Sequence, residues 1–117
     1  RALPAVEIAP KGGRYDFEAK YTPGATEEIV PARLSEEQLR EAADLALRAH
    51  AALGCSGATR TDMIVTDREA VVLEVNTLPG LTGTSLLPNS AASIGMGFPQ
   101  LVEWIVQEAL ARHGAKT

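Results

Sequence analysis

The sequence has little cysteine, no long apolar run and no cluster of basic residues. Its single cysteine, Cys55, excludes a disulfide within the chain and favours a reducing compartment, so we expect a cytoplasmic location. No apolar stretch approaches the roughly 20 residues that cross a bilayer, and no membrane partner is expected. The net charge of −4, without a basic stretch, argues against nucleic acid as a partner. The two histidines have no matching metal ligand, which favours surface or helix-end positions for both.

The 117 residues, 45% of them apolar, predict one domain with a small core. A capping-box sequence from Ser35 to Gln38 begins a helix through Leu53, which Gly54 can end. Another helix is predicted from Pro99 to about residue 113, with a short helix at residues 89–95 and strands at 3–9 and 28–32. The two long helices have apolar stripes that predict buried faces, consisting of Leu39, Ala43, Ala46, Leu47 and Leu53 in the first and Leu101, Val102, Ile105, Val106 and Ala109 in the second.

Residues 58–66 and 70–76 predict a β-hairpin, because both segments are rich in Val, Ile, Leu and Thr and a polar turn joins them. Side chains alternate along a strand, so Arg60 and Asp62 share one face, as do Glu74 and Asn76. A three-residue loop, in which Thr66 pairs with residue 70, would set Asp62 opposite Glu74 and Arg60 opposite Asn76. A two-residue loop would separate them.

Two carboxylates that face each other across a strand pair repel unless a positive charge lies between them. Carboxylate and amide oxygens suit Mg²⁺, so Asp62, Glu74 and Asn76 predict a magnesium site. The alternative is an amphipathic hairpin with a solvated acidic face. The loop that follows, at residues 77–88, contains Gly80 and Gly83 and can bring backbone N–H groups close to a ligand, although an ordinary surface turn has the same composition.

Four separated motifs carry a family resemblance: YDFEAKY at 15–21, RTD at 60–62, EVNTLPGLT at 74–82 and SLLP at 85–88. Together they resemble D-alanine:D-alanine ligases of the ATP-grasp superfamily, over nearly the whole chain but only over the C-terminal portion of such an enzyme. The resemblance implies an α/β (α+β) fold, the C-terminal half of an ATP-grasp domain, with mostly antiparallel sheet, packed helices and a lid loop at about residues 10–26. The hairpin at 58–76 would bind metal and the loop at 77–88 would bind substrate.

The resemblance also implies a reaction, in which ATP drives the joining of two D-alanines through an acyl phosphate, for peptidoglycan synthesis. Asp62, Glu74 and Asn76 match the ligands of two Mg²⁺ ions, for which Mn²⁺ could substitute, and Asn76 also lies on the nucleotide side. Arg60, with the backbone N–H of Gly80, matches the groups that hold the developing oxyanion. Without the family context, Arg60 would be a salt-bridge partner of Asp62.

The resemblance assigns the carboxylate of the second D-alanine to Ser85, to the backbone of Leu86 and to Lys20 from the lid. Taken alone, Ser85 would be a helix or turn cap. Tyr21 is the catalytic residue implied for the lid, and it favours D-alanine as second substrate over D-lactate. Leu73 is either plain core or part of the adenine-binding wall, on the side opposite Glu74 by strand alternation.

The chain begins at Arg1, inside a predicted strand, so the N-terminal and central domains of such a ligase are expected to be absent and the isolated chain inactive. A homodimer is implied by the family. Two alternatives remain from the residues alone: another ATP-grasp carboxylate–amine ligase, or a noncatalytic module that binds nucleotide or Mg²⁺. Substrate-dependent ATP hydrolysis would separate them.

Overall fold

The computed structural model describes residues 1–10 and 26–114, which form two antiparallel hairpins and three helices. Their order along the chain is β1 (Glu7–Pro10), β2 (Thr26–Ile29), α1 (Glu36–Ala52), β3 (Arg60–Val65), β4 (Ala70–Asn76), α2 (Leu86–Ala92) and α3 (Phe98–Arg112). This architecture confirms the predicted mixed fold with antiparallel sheet. Most of the predicted lid loop, including Lys20 and Tyr21, lies outside the described residues.

The strands of the first hairpin are shorter than predicted, and their bounds differ from the predicted ones. Strand β1 begins at Glu7 rather than at residue 3, and Glu7 pairs with Ile29 in β2, which ends before the predicted residue 32. Arg33 follows this sheet and donates to Glu7 from its backbone N at 2.9 Å, its Nε at 3.2 Å and its Nη2 at 2.7 Å. The side-chain hydrogen bonds from Arg33, together with its backbone N–H, hold the pKa of Glu7 below its ordinary value.

Helix α1 begins as the sequence predicts. Ser35 Oγ accepts from the backbone N of Gln38 at 3.1 Å, and Gln38 Oε1 accepts from the backbone N of Ser35 at 3.0 Å, which completes the capping box. After the helix, Gly54 adopts a φ of +67°, the left-handed conformation that favours glycine. The helix packs against β3 and β4, and its last turn contributes a 2.8 Å hydrogen bond between His50 Nδ1 and Thr59 Oγ1.

The second hairpin has a register that the predicted turn does not explain. Val65, not Thr66, pairs with Ala70, so the three-residue loop is wrong. Asp62 nevertheless lies opposite Glu74, because a β-bulge between Met63 and Asp62 adds one residue to β4. The bulge compensates for the different turn, and the predicted cross-strand pairs are confirmed.

The two C-terminal helices pack against each other, and the first of them forms a hydrogen bond to the first hairpin. Helix α2 spans Leu86–Ala92 rather than the predicted 89–95, so the loop predicted to bind substrate ends at Ser85 instead of residue 88. Ser90 Oγ donates to the backbone O of Pro4 at 2.5 Å, and Asn89 donates to the carboxylate of Glu28. These bonds join α2 to β2 and to the segment that precedes β1.

Helix α3 spans Phe98–Arg112, close to its predicted bounds. Near its end Arg112 donates from Nε to Glu108 Oε1 at 3.0 Å and from Nη2 to Oε2 at 3.1 Å. This hydrogen bonding from Arg112, with a smaller contribution from the backbone N–H of Gly57, lowers the pKa of Glu108. The helix is thereby connected to the loop that leads into β3.

The core within the described residues is smaller than predicted and consists of Ala32, Ala42, Ala91 and Leu101. Several residues of the predicted apolar stripes are exposed instead, namely Leu47, Leu53, Val102 and Val106. Ala42, which the predicted stripe omits, is the buried residue of α1. No helix in this part of the chain is long and apolar enough to span a membrane.

Candidate active site

One face of the second hairpin carries four polar side chains near the open end of the strand pair. Arg60 lies opposite Asn76, and Asp62 lies opposite Glu74. The register places all four on the same face, because each residue is two positions from its neighbour along its own strand. The other face of the hairpin, which includes Val75, alternates away from these groups.

Arg60 and Asp62 form an ion pair on this face. Arg60 Nε donates to Asp62 Oδ1 at 2.9 Å and Nη2 donates to Oδ2 at 3.3 Å. The side chains are 24% and 33% exposed, so water screens the pair only in part. The structure therefore contains the salt bridge that the residues alone offer as the alternative role for Arg60. A guanidinium has five N–H donors and this contact uses two, so the pair does not exhaust the capacity of Arg60.

The donor set for a cation consists of Asp62, Glu74 and Asn76. In the described ranges, no three His, Cys, Asp or Glu residues come together as a metal cluster. Two carboxylates and one amide are too few to enclose an ion, but Mg²⁺ commonly takes one or two protein carboxylates and completes its shell with water and phosphate oxygens. These residues fit Mg²⁺ that is bound together with a phosphorylated ligand.

Asn76 also determines how the chain leaves the hairpin. Its Oδ1 accepts a hydrogen bond of 2.9 Å from the backbone N of Leu78, which forms an Asx turn. An amide oxygen has two lone pairs, so this bond leaves one for another partner. The turn is followed by Pro79, which is buried, and then by Gly80. Asn76, the last residue of the polar face, therefore also helps to set the direction in which the loop leaves the hairpin.

Gly80 and Ser85, two predicted site residues, lie in direct proximity. A Cβ on Gly80 would lie 2.7 Å from Ser85 Oγ, closer than real Cβ contacts, so a side chain at residue 80 would displace the Ser85 hydroxyl. Ser85 occupies the N-cap position of α2 but makes no side-chain cap hydrogen bond. Its Oγ instead accepts from the backbone N of Thr82 at 2.9 Å. The hydroxyl therefore belongs to the loop rather than to the helix cap, and Leu86 follows it as the first helical residue.

Leu73 is the extra residue of the β-bulge and is 58% exposed. Its interpretation as plain core is wrong for this chain. The bulge also interrupts the simple alternation of side chains that would place Leu73 and Glu74 on different faces of the hairpin. The Leu73 side chain is exposed to solvent next to residues of the polar face, and Ile64 and Val71 of the same hairpin are exposed as well.

The sequence matches the family model described as D-ala D-ala ligase C-terminus over residues 1–107. The chain belongs to this family. It is 50% identical over 112 residues to a D-alanine–D-alanine ligase of Desulforudis audaxviator, a match that covers 96% of the chain and 37% of the relative. A D-alanine–D-alanine ligase of Geotalea uraniireducens is 53% identical over 110 residues, which are 93% of the chain and 36% of that protein.

Solved structures of family members have the same fold. A D-alanine–D-alanine ligase of Bacillus anthracis complexed with ATP superposes with a TM-score of 0.79 at 32% identity, covering 98% of the chain and 36% of that enzyme. The VanG D-Ala:D-Ser ligase of Enterococcus faecalis gives a TM-score of 0.71 at 35% identity, covering 90% and 31% respectively. The chain thus corresponds to the C-terminal portion of these ligases and spans about a third of their length.

Of the residues predicted for the ligase site, the structure brings Arg60 together with Asp62 and Gly80 together with Ser85. Lys20 and Tyr21 fall outside the described residues, so their positions stay predictions. Thr82 is a residue that the motifs leave without a role, although it contacts Ser85 with both its backbone N and its Oγ1. The signal in the sequence is the concentration of hydroxyl side chains in T-G-T-S at residues 82–85, which begins two residues after Gly80.

Proposed function

We propose that this chain is the C-terminal part of an ATP-dependent D-alanine:D-alanine ligase, a carbon–nitrogen bond-forming enzyme of peptidoglycan synthesis. The observation that carries the proposal is the polar face of the second hairpin, which continues directly into the Gly80–Ser85 contact, in a chain of this ligase family. In this arrangement the hairpin would supply hard oxygen ligands and the loop that follows it would supply N–H groups. The reaction needs both, since it proceeds through charged phosphoryl and tetrahedral species.

Asp62, Glu74 and Asn76 would hold Mg²⁺, two ions in the complete site, with Mn²⁺ as a substitute. When bound, Mg²⁺ would neutralise charge on the ATP phosphates. Use of ATP is supported by the ATP complex of the Bacillus anthracis relative. Asn76 would also face the nucleotide, and the exposed Leu73 would form part of the wall against adenine.

Arg60 and the backbone N–H of Gly80 would stabilise the oxygen on which charge develops as the amine of the second D-alanine attacks the acyl phosphate. Arg60 is already oriented on this face by Asp62, and its remaining N–H donors suit an oxyanion. These donors act on the developing charge, so their loss should lower kcat rather than substrate affinity.

Ser85 and the backbone of Leu86 would bind the carboxylate of the second D-alanine, assisted by Lys20. Tyr21, at the end of the lid loop, would act catalytically and favour D-alanine as the attacking amine. The D-Ala:D-Ser specificity of the Enterococcus faecalis relative makes D-serine the natural competitor to test. Closure of the lid would exclude water, which hydrolyses acyl phosphates.

The partners in this proposal are ATP, D-alanine and the N-terminal and central domains of the same polypeptide, in a cytoplasmic homodimer. The chain alone would be inactive, because it spans about 37% of its relatives' length and lacks the remainder of such a site. Dipeptide synthesis by the isolated chain would contradict this part of the proposal.

The test is product analysis by mass spectrometry on the full-length polypeptide that carries this chain, with ATP, Mg²⁺ and D-alanine. Parallel reactions contain L-alanine, D-alanine with D-lactate, or D-alanine with D-serine. We expect D-alanyl-D-alanine. ATP turnover only with another acid or amine would overturn the substrate assignment, and no turnover with any of them would favour a noncatalytic module.

Glu74→Ala should abolish ligation in the same assay, because it removes the carboxylate opposite Asp62. Glu69→Ala is the matched control, since Glu69 is an exposed acid in the turn of the same hairpin. A near-normal rate in Glu74→Ala would show that the metal assignment is wrong.

A further inference from the structure

The hydroxyl of Ser85 is surrounded by hydrogen-bond partners from one residue. Its Oγ accepts from the backbone N of Thr82 at 2.9 Å and lies 2.8 Å from Thr82 Oγ1. Thr82 Oγ1 in turn lies 3.4 Å from Thr84 Oγ1. Three hydroxyls therefore form a short chain that ends at Ser85, beside Gly80.

Which hydroxyl donates and which accepts in this row decides what Ser85 can bind. A hydroxyl has one donor and two acceptor lone pairs. If Ser85 donates to Thr82 Oγ1, it has no proton left for an external acceptor. If Thr82 Oγ1 donates to Ser85, both lone pairs of Ser85 are occupied by Thr82 and its proton is directed outward.

A carboxylate can only accept hydrogen bonds, so its binding selects the second direction. We propose that Thr82 is a positioning residue that orients the Ser85 hydroxyl as a donor to the carboxylate of the second substrate. This inference rests on the proposed function, in which Ser85 contacts that carboxylate. Thr84 supports the arrangement, because its hydroxyl can donate to the lone pair of Thr82 Oγ1 that this direction leaves free.

The proposal predicts a selective effect on substrates that carry a carboxylate. In the full-length polypeptide, D-alanine and D-alaninamide compete as the attacking amine, and mass spectrometry measures the ratio of D-alanyl-D-alanine to its amide. Thr82→Val should shift this ratio toward the amide by roughly fivefold, the scale of one ordinary hydrogen bond, because the variant leaves the Ser85 donor in place and removes only its orientation. Thr82→Ser retains the hydroxyl and should restore the ratio.

A product ratio does not depend on how much of the enzyme is folded, so a loss of folded enzyme in Thr82→Val would leave it unchanged. Thr77→Val is the matched control, because it removes the hydroxyl of another exposed residue in the same loop and should not alter the ratio. If the wild-type enzyme makes no amide product, the KM for D-alanine gives the comparison: it should rise by roughly fivefold in Thr82→Val while kcat changes by less than about twofold.

An unchanged ratio and KM in Thr82→Val, with dipeptide still formed, would overturn the role of Thr82 and leave the proposed function standing. Failure of Thr82→Ser to restore the wild-type value would also overturn it. Absence of dipeptide from the wild-type polypeptide would instead overturn the proposed function, and with it this inference.

Discussion

Arg60 should compete with metal for Asp62 when no nucleotide is bound. The guanidinium contacts both carboxylate oxygens of Asp62, at 2.9 and 3.3 Å, and a cation that binds Asp62 must displace or share this contact. Arg60→Met removes the competitor and also removes a positive charge next to the ion. Both effects act in the same direction, so the variant should bind metal more tightly than the wild type.

The size of the effect follows from the exposure of the pair. Exposed ion pairs contribute about 0.2–1 kcal/mol, and a two-point Arg–carboxylate contact lies at the upper end of that range. The Arg60 and Asp62 side chains are only 24% and 33% exposed, so screening does not reduce the value further. About 1 kcal/mol corresponds to a roughly fivefold lower Kd for the metal.

The assay is titration of the full-length polypeptide with Mn²⁺, followed by the electron paramagnetic resonance signal of the free ion. Arg33→Met is the matched control, because it breaks a similar pair with Glu7 in the other hairpin and should leave the Kd unchanged. The same Arg60→Met variant should lower kcat of ligation, since it removes the proposed oxyanion donor. An unchanged or weaker Mn²⁺ affinity in Arg60→Met would refute the competition.

Two further variants test the loop and the first hairpin. Gly80→Ala would place a Cβ 2.7 Å from Ser85 Oγ and should raise the KM for D-alanine. Gly83→Ala is the control, because its Cβ enters open space and should leave the KM unchanged. Equal KM values in the two variants would contradict the steric argument. Arg33 lowers the folded-state pKa of Glu7, so their interaction stabilises the fold above the ordinary glutamate range and is lost as pH falls through the lowered pKa. Glu7→Gln should therefore weaken the fall in melting temperature between about pH 7 and about pH 3, and an identical pH profile would exclude a contribution from this pair.

The sequence predicts α1 well because its signals are local. The capping box of Ser35 and Gln38 and the left-handed Gly54 are each satisfied within a few residues of the helix end, and the observed helix follows them. The predicted buried stripe is less accurate. Leu47 is 45% and Leu53 is 66% exposed, because burial depends on which element packs against each turn of the helix, and helical periodicity does not contain that information.

The cross-strand pairs on the polar face of the second hairpin were predicted correctly, although the predicted turn was wrong. The pairs Arg60–Asn76 and Asp62–Glu74 agree with the prediction. The turn shifts the pairing by one residue from the predicted register, and the bulge shifts it back by one residue. Strand patterns fix which residues alternate, whereas bulges depend on backbone geometry that leaves no clear residue signature here. The close approach of Ser85 to Gly80 and to Thr82 also depends on the folded path of the loop, which motif spacing does not specify.

The bulge at Leu73 has a consequence for how the length of this hairpin can vary. Val72 pairs with Met63, and Glu74 pairs with Asp62, the next residue toward the open end of the hairpin. A chain without Leu73 would continue the ladder without interruption, and Glu74 would still face Asp62. This strand can therefore lose one residue during evolution, or by engineering, and keep its acidic pair aligned. What such a deletion removes is the exposed leucine side chain, so a deletion variant would separate the contribution of that side chain from the alignment of the proposed metal ligands.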